Sequence, residues 1–102
     1  MPNFVTLAKT TDIQPGTARA YRLGGYSVAV YNCQGKFLAT SNTCQHEGGY
    51  LADGVLTANV IMCPLHGWEY NVETGECLTI PGADLKVFPV RIAGDEIQVA
   101  VD

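Results

Sequence analysis

Four residues, Cys44, His46, Cys63 and His66, form two short pairs of thiol and imidazole side chains. Sixteen residues separate the first pair from the second. Thiolate sulfur and imidazole nitrogen are ligands of zinc and of iron. Because each loop supplies one ligand of each kind, the spacing predicts a single metal centre assembled from two loops.

Three interpretations of these residues compete. The first is a pair of unrelated loops with buried cysteines, and the second is a zinc site with two cysteines and two histidines. The third is a [2Fe–2S] cluster with two cysteines on one iron and two histidines on the other. Zinc fingers place both cysteines before both histidines and carry the histidines on a helix, whereas the order here alternates. Four ligands in two matched, glycine-flanked loops therefore favour the two-iron cluster.

Short β-strands separated by turns account for the rest of the chain, and no useful length of sequence has a helical period. The predicted strands are 3–8, 17–23, 26–32, 37–41, 59–62, 68–70, 76–80, 85–91 and 96–101. This pattern predicts an all-β sandwich or barrel in one domain, 1–102. The loops 42–54 and 63–67 form its working end, since functional residues often lie on loops held by a rigid scaffold.

Composition and charge argue against several classes of protein. The chain is 47% hydrophobic and 16% charged, which is typical of a globular protein. Its six basic residues are scattered, so nucleic-acid binding is not expected, and the net charge of −4 serves either solubility or docking to a basic partner. No apolar run reaches the ~18 residues of a membrane span. Without a secretory signal, a cytoplasmic location is expected, where cysteines bind metals more often than they form disulfides.

The segments CQHEGGYLADG and CPLHGWEYNVETGEC resemble the Rieske signature, and in particular that of the small Rieske ferredoxins. The resemblance extends to the closing segment LKVFPVRIAGDEIQV and so covers nearly the whole chain. It implies a fold of three small antiparallel sheets and one [2Fe–2S] cluster. It also implies that Cys44 and Cys63 hold the inner iron, and that His46 and His66 hold the outer iron near the surface.

The resemblance also bears on the reduction potential. Two neutral imidazoles in place of two thiolates raise the potential to roughly −150 to +300 mV, against roughly −400 mV for plant-type ferredoxins. High-potential Rieske proteins have a disulfide at the positions of Gly49 and Leu65 and a serine at that of Trp68. The absence of this disulfide and of the serine implies a reduction potential at the low end of the Rieske range, about −150 mV. Tyr70 matches a tyrosine that donates to a ligand sulfur and raises the potential, although a core strand residue is an equal alternative.

The function implied is that of the ferredoxin component of an aromatic-ring dioxygenase system. Such a carrier is not an enzyme; it takes single electrons from a flavoprotein reductase and gives them to a terminal Rieske oxygenase, and it is expected to be a monomer. Acidic residues such as Glu47, Asp53 and Glu69 are expected to help orient the encounter with a partner. The alternative is the small Rieske subunit of an assimilatory nitrite reductase. An oxygenase is not expected, because the only two histidines are already assigned to the cluster.

Six further residues have two interpretations each. Cys33 and Cys77 are expected to be small buried hydrophobic residues, with a disulfide between them as an open alternative. Trp68 either belongs to the core or covers the cluster beside the second loop. By resemblance, Pro81-Gly82 belongs to a third loop that shields the cluster, and otherwise it is a plain turn. Tyr50 either lines the docking surface or is a solvated loop residue.

Overall fold

Short strands form three antiparallel sheets in the structure, a computed structural model that describes residues 3–44, 49–65 and 67–101. The strands are β1 Val5–Lys9, β2 Ala18–Leu23, β3 Tyr26–Cys33, β4 Lys36–Ser41, β5 Val55–Thr57, β6 Val60–Met62, β7 Glu69–Asn71, β8 Val87–Phe88, β9 Val90–Ala93 and β10 Glu96–Val99. Their orders in the three sheets are β1-β10-β9, β2-β3-β4-β8 and β5-β6-β7. The predicted all-β class and the three small sheets are confirmed.

The central strand β3 supplies two separate hydrophobic cores. Successive side chains of a strand point to opposite faces, and in β3 both faces are covered. Ala29 and Tyr31 point into the core that also holds Cys44 and Cys63. Val28 and Val30 point into a second core, built with residues of β1, β4, β8 and β10. Cys44 and Cys63 therefore pack against the sheet that contains β3.

Pro89 divides one predicted strand into two. The sequence pattern predicted a single strand over 85–91, but β8 pairs with β4 whereas β9 pairs with β10. Proline has no backbone N–H and cannot donate to a strand ladder. Its carbonyl oxygen instead accepts a hydrogen bond from the Ala100 N–H at 3.1 Å. The single-strand prediction was wrong because Pro89 moves the chain from one sheet to the next.

Two predictions near the cysteine loops also need correction. The predicted strand 76–80 is reduced to one bridge, Tyr70 with Cys77, because the backbone beyond it turns away into a loop. Strand β5, in contrast, was not predicted, since it is only three residues long and lies directly after the loop 42–54. Both segments are short, and pairing with neighbouring strands decides whether they form β-structure, so their own residues did not predict it.

Helical structure in the described ranges is confined to two single 3₁₀ turns, Thr10–Asp12 and Leu51–Asp53. The Lys9 N–H donates to the Asp12 carboxylate at 2.9 Å and closes the first turn. Neither turn approaches the length and apolar character that a helix needs to cross a membrane.

Tyr31 should make the stability of the fold fall in alkaline solution. Its ring is fully buried, and its hydroxyl lies 2.9 Å from Thr40 Oγ1. Because Thr40 donates to the Ser41 carbonyl oxygen, Tyr31 must be the donor in this pair. Burial raises the pKa of Tyr31 well above its ordinary value. The folded state therefore favours the neutral phenol, and its stabilisation is complete below the unfolded pKa of about 10 and is lost as the pH rises further.

We expect Tyr31→Phe to lower the free energy of unfolding by about 1 kcal/mol at pH 7 through the lost hydrogen bond. Above pH 10 its stability should fall less steeply than that of the native protein. Urea unfolding at several pH values measures both, with Tyr26→Phe as the control, because Tyr26 lies on the same strand with 41% of its surface exposed. Parallel pH curves for the native protein and Tyr31→Phe would contradict this assignment.

Candidate metal centre

The two cysteines of the predicted centre begin loops that are closed in the same way. Cys63 follows β6 directly, and its N–H donates to the Trp68 carbonyl oxygen at 2.7 Å. The Cys44 N–H donates to the Gly49 carbonyl oxygen, also at 2.7 Å. In both loops the acceptor is five residues beyond the cysteine, so each thiol is anchored at the base of a closed loop. Cys44 and Cys63 are 2% and 1% exposed.

Gly49 brings the two loops into direct contact. A Cβ atom at this position would lie 3.0 Å from Leu65 Cγ and Cδ1 and 3.2 Å from Cys63 Sγ. The base of the first loop therefore packs against the thiol and the neighbouring side chain of the second. A side chain at position 49 would require Leu65 or Cys63 to shift by a few tenths of an ångström, so glycine favours this close approach.

Tyr70 connects β7 to the first loop. Its ring is fully buried, and its hydroxyl lies 3.3 Å from Cys44 Sγ. Tyr70 is therefore a core residue whose hydroxyl lies within hydrogen-bonding distance of a predicted ligand sulfur. Its effect on the reduction potential stays a prediction. Cys44, Cys63, Tyr70 and Cys77 share one core, and Trp68 packs against it half-buried.

The predicted imidazole ligands, His46 and His66, lie outside the described residues, as does Glu47. Within 3–44, 49–65 and 67–101, no three or more His, Cys, Asp or Glu side chains are grouped so that they could hold a metal ion. The described flanks of the loops reach the surface, since Tyr50 is 57% exposed and Leu65 43% exposed. The thiols are thus internal, whereas these described flanks of their loops are accessible.

Residues 3–89 match the family of Rieske [2Fe-2S] domains. The chain belongs to this family. Its cofactor is accordingly one [2Fe–2S] cluster, as the sequence predicted. The donor chemistry fits, because two buried thiols on adjoining loops offer the soft sulfur ligands that iron–sulfur clusters require.

Two characterised relatives align with almost all of the Rieske chain. Ferredoxin CarAc of Metapseudomonas resinovorans is 38% identical over 99 residues, covering 95% of this chain and 92% of that protein. The ferredoxin component of the naphthalene 1,2-dioxygenase/salicylate 5-hydroxylase systems of a Ralstonia species is 32% identical over 101 residues, covering 98% and 97%. Both relatives are ferredoxins, and the second is a component of dioxygenase and hydroxylase systems.

Solved structures of ferredoxins from dioxygenase systems also superpose closely on this chain. A chain in the complex of reduced oxygenase and oxidized ferredoxin of carbazole 1,9a-dioxygenase superposes with a TM-score of 0.87, at 38% identity and with 95% and 92% coverage. The ferredoxin of carbazole 1,9a-dioxygenase from Nocardioides aromaticivorans IC177 gives 0.92, at 32% identity and with 98% and 99% coverage. A nitrite reductase small subunit from Mycobacterium tuberculosis also gives 0.92, with 100% and 97% coverage, but at 22% identity it shows the fold alone.

A third loop, residues 76–85, folds against the core of the Rieske chain. The Cys77 N–H donates to the Asp84 carboxylate at 3.0 Å, and the Ile80 N–H donates to Cys77 Sγ at 3.4 Å. The Leu85 N–H donates to the Gly75 carbonyl oxygen at 2.7 Å and closes the loop. Pro81-Gly82 lies at its exposed tip. Sequence reasoning missed Asp84, because a single acidic residue after Pro-Gly-Ala is typical of any turn.

Cys33 and Cys77 are not joined by a disulfide. Cys77 is buried, as predicted, whereas Cys33 is half-buried at the end of β3. Burial raises the pKa of the Cys33 thiol, the Glu73 carboxylate adds to this, and the Lys36 ammonium opposes it. Cys33 therefore stays a protonated thiol at neutral pH, and it serves as a reference cysteine for the experiments below.

Proposed function

We propose that this chain is the ferredoxin component of an aromatic-ring dioxygenase system. It accepts one electron from a flavoprotein reductase and donates it to a terminal Rieske oxygenase. The observation that carries the proposal is the near full-length similarity, at 38% identity, to a chain from the complex of an oxygenase with its ferredoxin. The alternative, a small subunit of an assimilatory nitrite reductase, is supported only by similarity of fold at 22% identity.

For the cofactor we propose Cys44 and Cys63 as ligands of the inner iron, and His46 and His66 as ligands of the outer iron. Support comes from the burial of both thiols and from the contact of their loops through Gly49. When bound, the cluster supplies a site for one reversible electron. The protein excludes water from the thiols, and the Tyr70 hydroxyl donates to Cys44 Sγ, since a ligand thiolate can only accept a hydrogen bond.

As parts of the same proposal, residues 1–102 form a single domain that works as a cytoplasmic monomer. A carrier must separate quickly from each partner, and interfaces of this kind are small, below about 1,200 Å². A freely diffusing monomer meets this requirement, whereas a fixed subunit of a large reductase does not. The chain itself performs no bond chemistry in this scheme.

Spectroscopy of the purified protein tests the cofactor assignment, and reconstitution tests the function. We expect visible absorption from iron–sulfide charge transfer and an EPR signal after one-electron reduction. Adding the protein to a reductase and oxygenase pair should make product formation depend on it. A colourless protein without an EPR signal would indicate zinc and overturn the proposal. Co-purification with a large sirohaem protein would favour the nitrite reductase subunit instead.

Tyr70→Phe should lower the reduction potential. A hydrogen bond to the ligand sulfur stabilises the more negative, reduced state, so its removal disfavours reduction. We expect a fall of about 50 mV, close to a tenfold change in the equilibrium for one electron. Redox titration followed by EPR measures the shift. The control is Tyr26→Phe, because the Tyr26 ring packs against Phe88, which belongs to the second core and not to the core that holds Cys44 and Cys63. An unchanged potential would reduce Tyr70 to a packing role.

A further inference from the structure

One face of the β5–β6–β7 sheet exposes a row of large apolar side chains. Val55 pairs with Met62, and Met62 pairs with Glu69. Leu78 continues the row, since its N–H donates to the Glu69 carbonyl oxygen at 2.8 Å. Residues directly opposite each other in antiparallel strands share a face. Val55, Met62 and Leu78 are 63%, 40% and 49% exposed. These three residues with Glu69 are called the flank face below.

The opposite face of the same sheet is buried, which explains why the flank face is accessible. The next positions along the strands, Leu56, Ile61, Tyr70 and Cys77, point into the core that contains Cys44 and Cys63. Alternation therefore forces the flank residues outward. Solvent-exposed apolar side chains grouped in a row are typical of an interaction surface, whereas single ones are ordinary.

The flank face begins one residue from a predicted cluster ligand. Met62 directly precedes Cys63, and Glu69 directly follows Trp68, whose carbonyl oxygen accepts the Cys63 N–H. A protein seated on this face would therefore contact the two strands that carry the second cysteine loop. This position suits a surface for electron transfer, because that loop carries Cys63 and His66, a proposed ligand of each iron.

Charge is divided unequally between this part of the chain and the rest. Residues 37–85 contain six acidic residues and no lysine or arginine, whereas 1–36 and 86–102 contain four acidic and six basic residues. With neutral histidines, the net charges are −6 and +2, which add to the overall −4. Lys36 offsets one of the six acidic charges, because its ammonium pairs with the Glu73 carboxylate at 2.7 Å. Asp53 and Glu76 are exposed and lie two residues from Val55 and Leu78, and Glu69 lies within the row. The flank face therefore combines an apolar centre with acidic surroundings.

We propose that the flank face is a docking surface for an electron-transfer partner with an apolar patch ringed by lysine and arginine. Charge complementarity selects this occupant, because opposite potentials accelerate encounter and like charges suppress it. The inference rests on the proposed function and specifies which surface of the carrier its partner contacts. In the transfer, the reduced chain loses one electron and the partner's oxidised metal gains it, and no bond or proton is exchanged.

Cytochrome c, with lysines around its haem edge, is a defined probe of this surface. Mixing the dithionite-reduced protein with ferric cytochrome c should give a second-order rate that falls as the salt concentration rises, because exposed charges are screened beyond about 10 Å at 0.1 M salt. With acidic plastocyanin as the acceptor, the rate should rise with salt. A direct binding readout is the affinity of the oxidised protein for ferric cytochrome c, which involves no electron transfer.

Lysine substitutions on the flank face and at a matched exposed position elsewhere test whether the partner docks on this face. Val55→Lys and Leu78→Lys should each lower both the rate and the affinity for cytochrome c by about threefold or more. The control is Ile92→Lys on β9, because Ile92 is 46% exposed and the change in net charge is identical. It should change both values by less than about 1.5-fold. The absorption spectrum and the reduction potential should be those of the native protein in all three variants.

Each result supports or overturns the inference separately from the proposed function. If all three variants behave alike, the surface is wrong although the carrier function stands. If the native protein sediments as a dimer that Val55→Lys dissociates, the flank face binds a second copy of the chain and the inference fails. If the native protein cannot be reduced and reoxidised by one electron, the proposed function fails first.

Discussion

Cys63→Ser is expected to yield a protein with about tenfold less iron and sulfide per chain than the native form. A serine hydroxyl is a poor ligand for iron at neutral pH, because it stays protonated where a thiol ionises. Cluster ligation also contributes to the free energy of folding. The variant should therefore unfold at a lower temperature. Iron and sulfide analysis and thermal unfolding measure the two effects, and Cys44→Ser should give the same pair of losses.

Cys33→Ser is the matched control, since it makes the same atomic change in a cysteine outside both loops. Cys33 is half-buried, and no ligand role is proposed for it. Its variant should keep the full iron and sulfide content and the EPR signal of the native protein. If Cys33→Ser lost the cluster and Cys63→Ser kept it, the proposed ligand set would be wrong.

Gly75→Ala should strongly destabilise the fold. Gly75 has φ +82°, a conformation that residues with a side chain rarely adopt. An added Cβ would also collide with the Leu85 carbonyl oxygen and lie 2.9 Å from Val87 Cγ2. We expect a loss of about 2 to 4 kcal/mol in the free energy of unfolding. Urea titration of the purified variant measures this loss.

The same variant should expose the cluster. Gly75 closes the loop 76–85 by accepting the Leu85 N–H, so displacing Leu85 should move this loop from the core. Loss of iron to a chelator should be faster than in the native protein. Gly25→Ala is the control, because its added Cβ meets no atom within 4 Å and no positive φ is required there. Equal stability in the two variants would show that the loop tolerates a side chain at position 75.

Local features are expected to act on the reduction potential in opposite directions. The missing disulfide lowers it, and the Tyr70 hydroxyl raises it. Gly49 and Leu65 replace the disulfide of high-potential members, and Leu65 packs where a Cβ of residue 49 would stand. Apolar packing therefore joins the loops in place of a covalent bond. Tyr70 retains its contact with Cys44. The prediction of a low reduction potential, about −150 mV, therefore rests on the missing disulfide and on Trp68 in place of a serine.

Several properties of the protein follow from the sequence alone. The order of cysteine and histidine was sufficient to predict the family and its cofactor, because ligand identity is a property of side-chain chemistry and spacing. Runs rich in strand-forming residues, separated by turns at Gly24-Gly25 and Gln34-Gly35, predicted β2, β3 and β4 within one residue of their observed bounds. Local side-chain chemistry and local turn signals are the information that a linear sequence carries directly.

Other properties were decided only by the tertiary structure, because they depend on residues far apart in the chain. The contact of Tyr70 with Cys44 and the hydrogen bond from Cys77 to Asp84 require particular strand pairings and loop paths. The reassignment of the strand around Pro89 depends on which sheet offers each half a partner. The flank face arises because the pairing of β5, β6 and β7 aligns Val55, Met62 and Glu69, and because Leu78 pairs with Glu69 beyond β7. Register and packing create these arrangements, and the spacing of residues along the chain does not contain them.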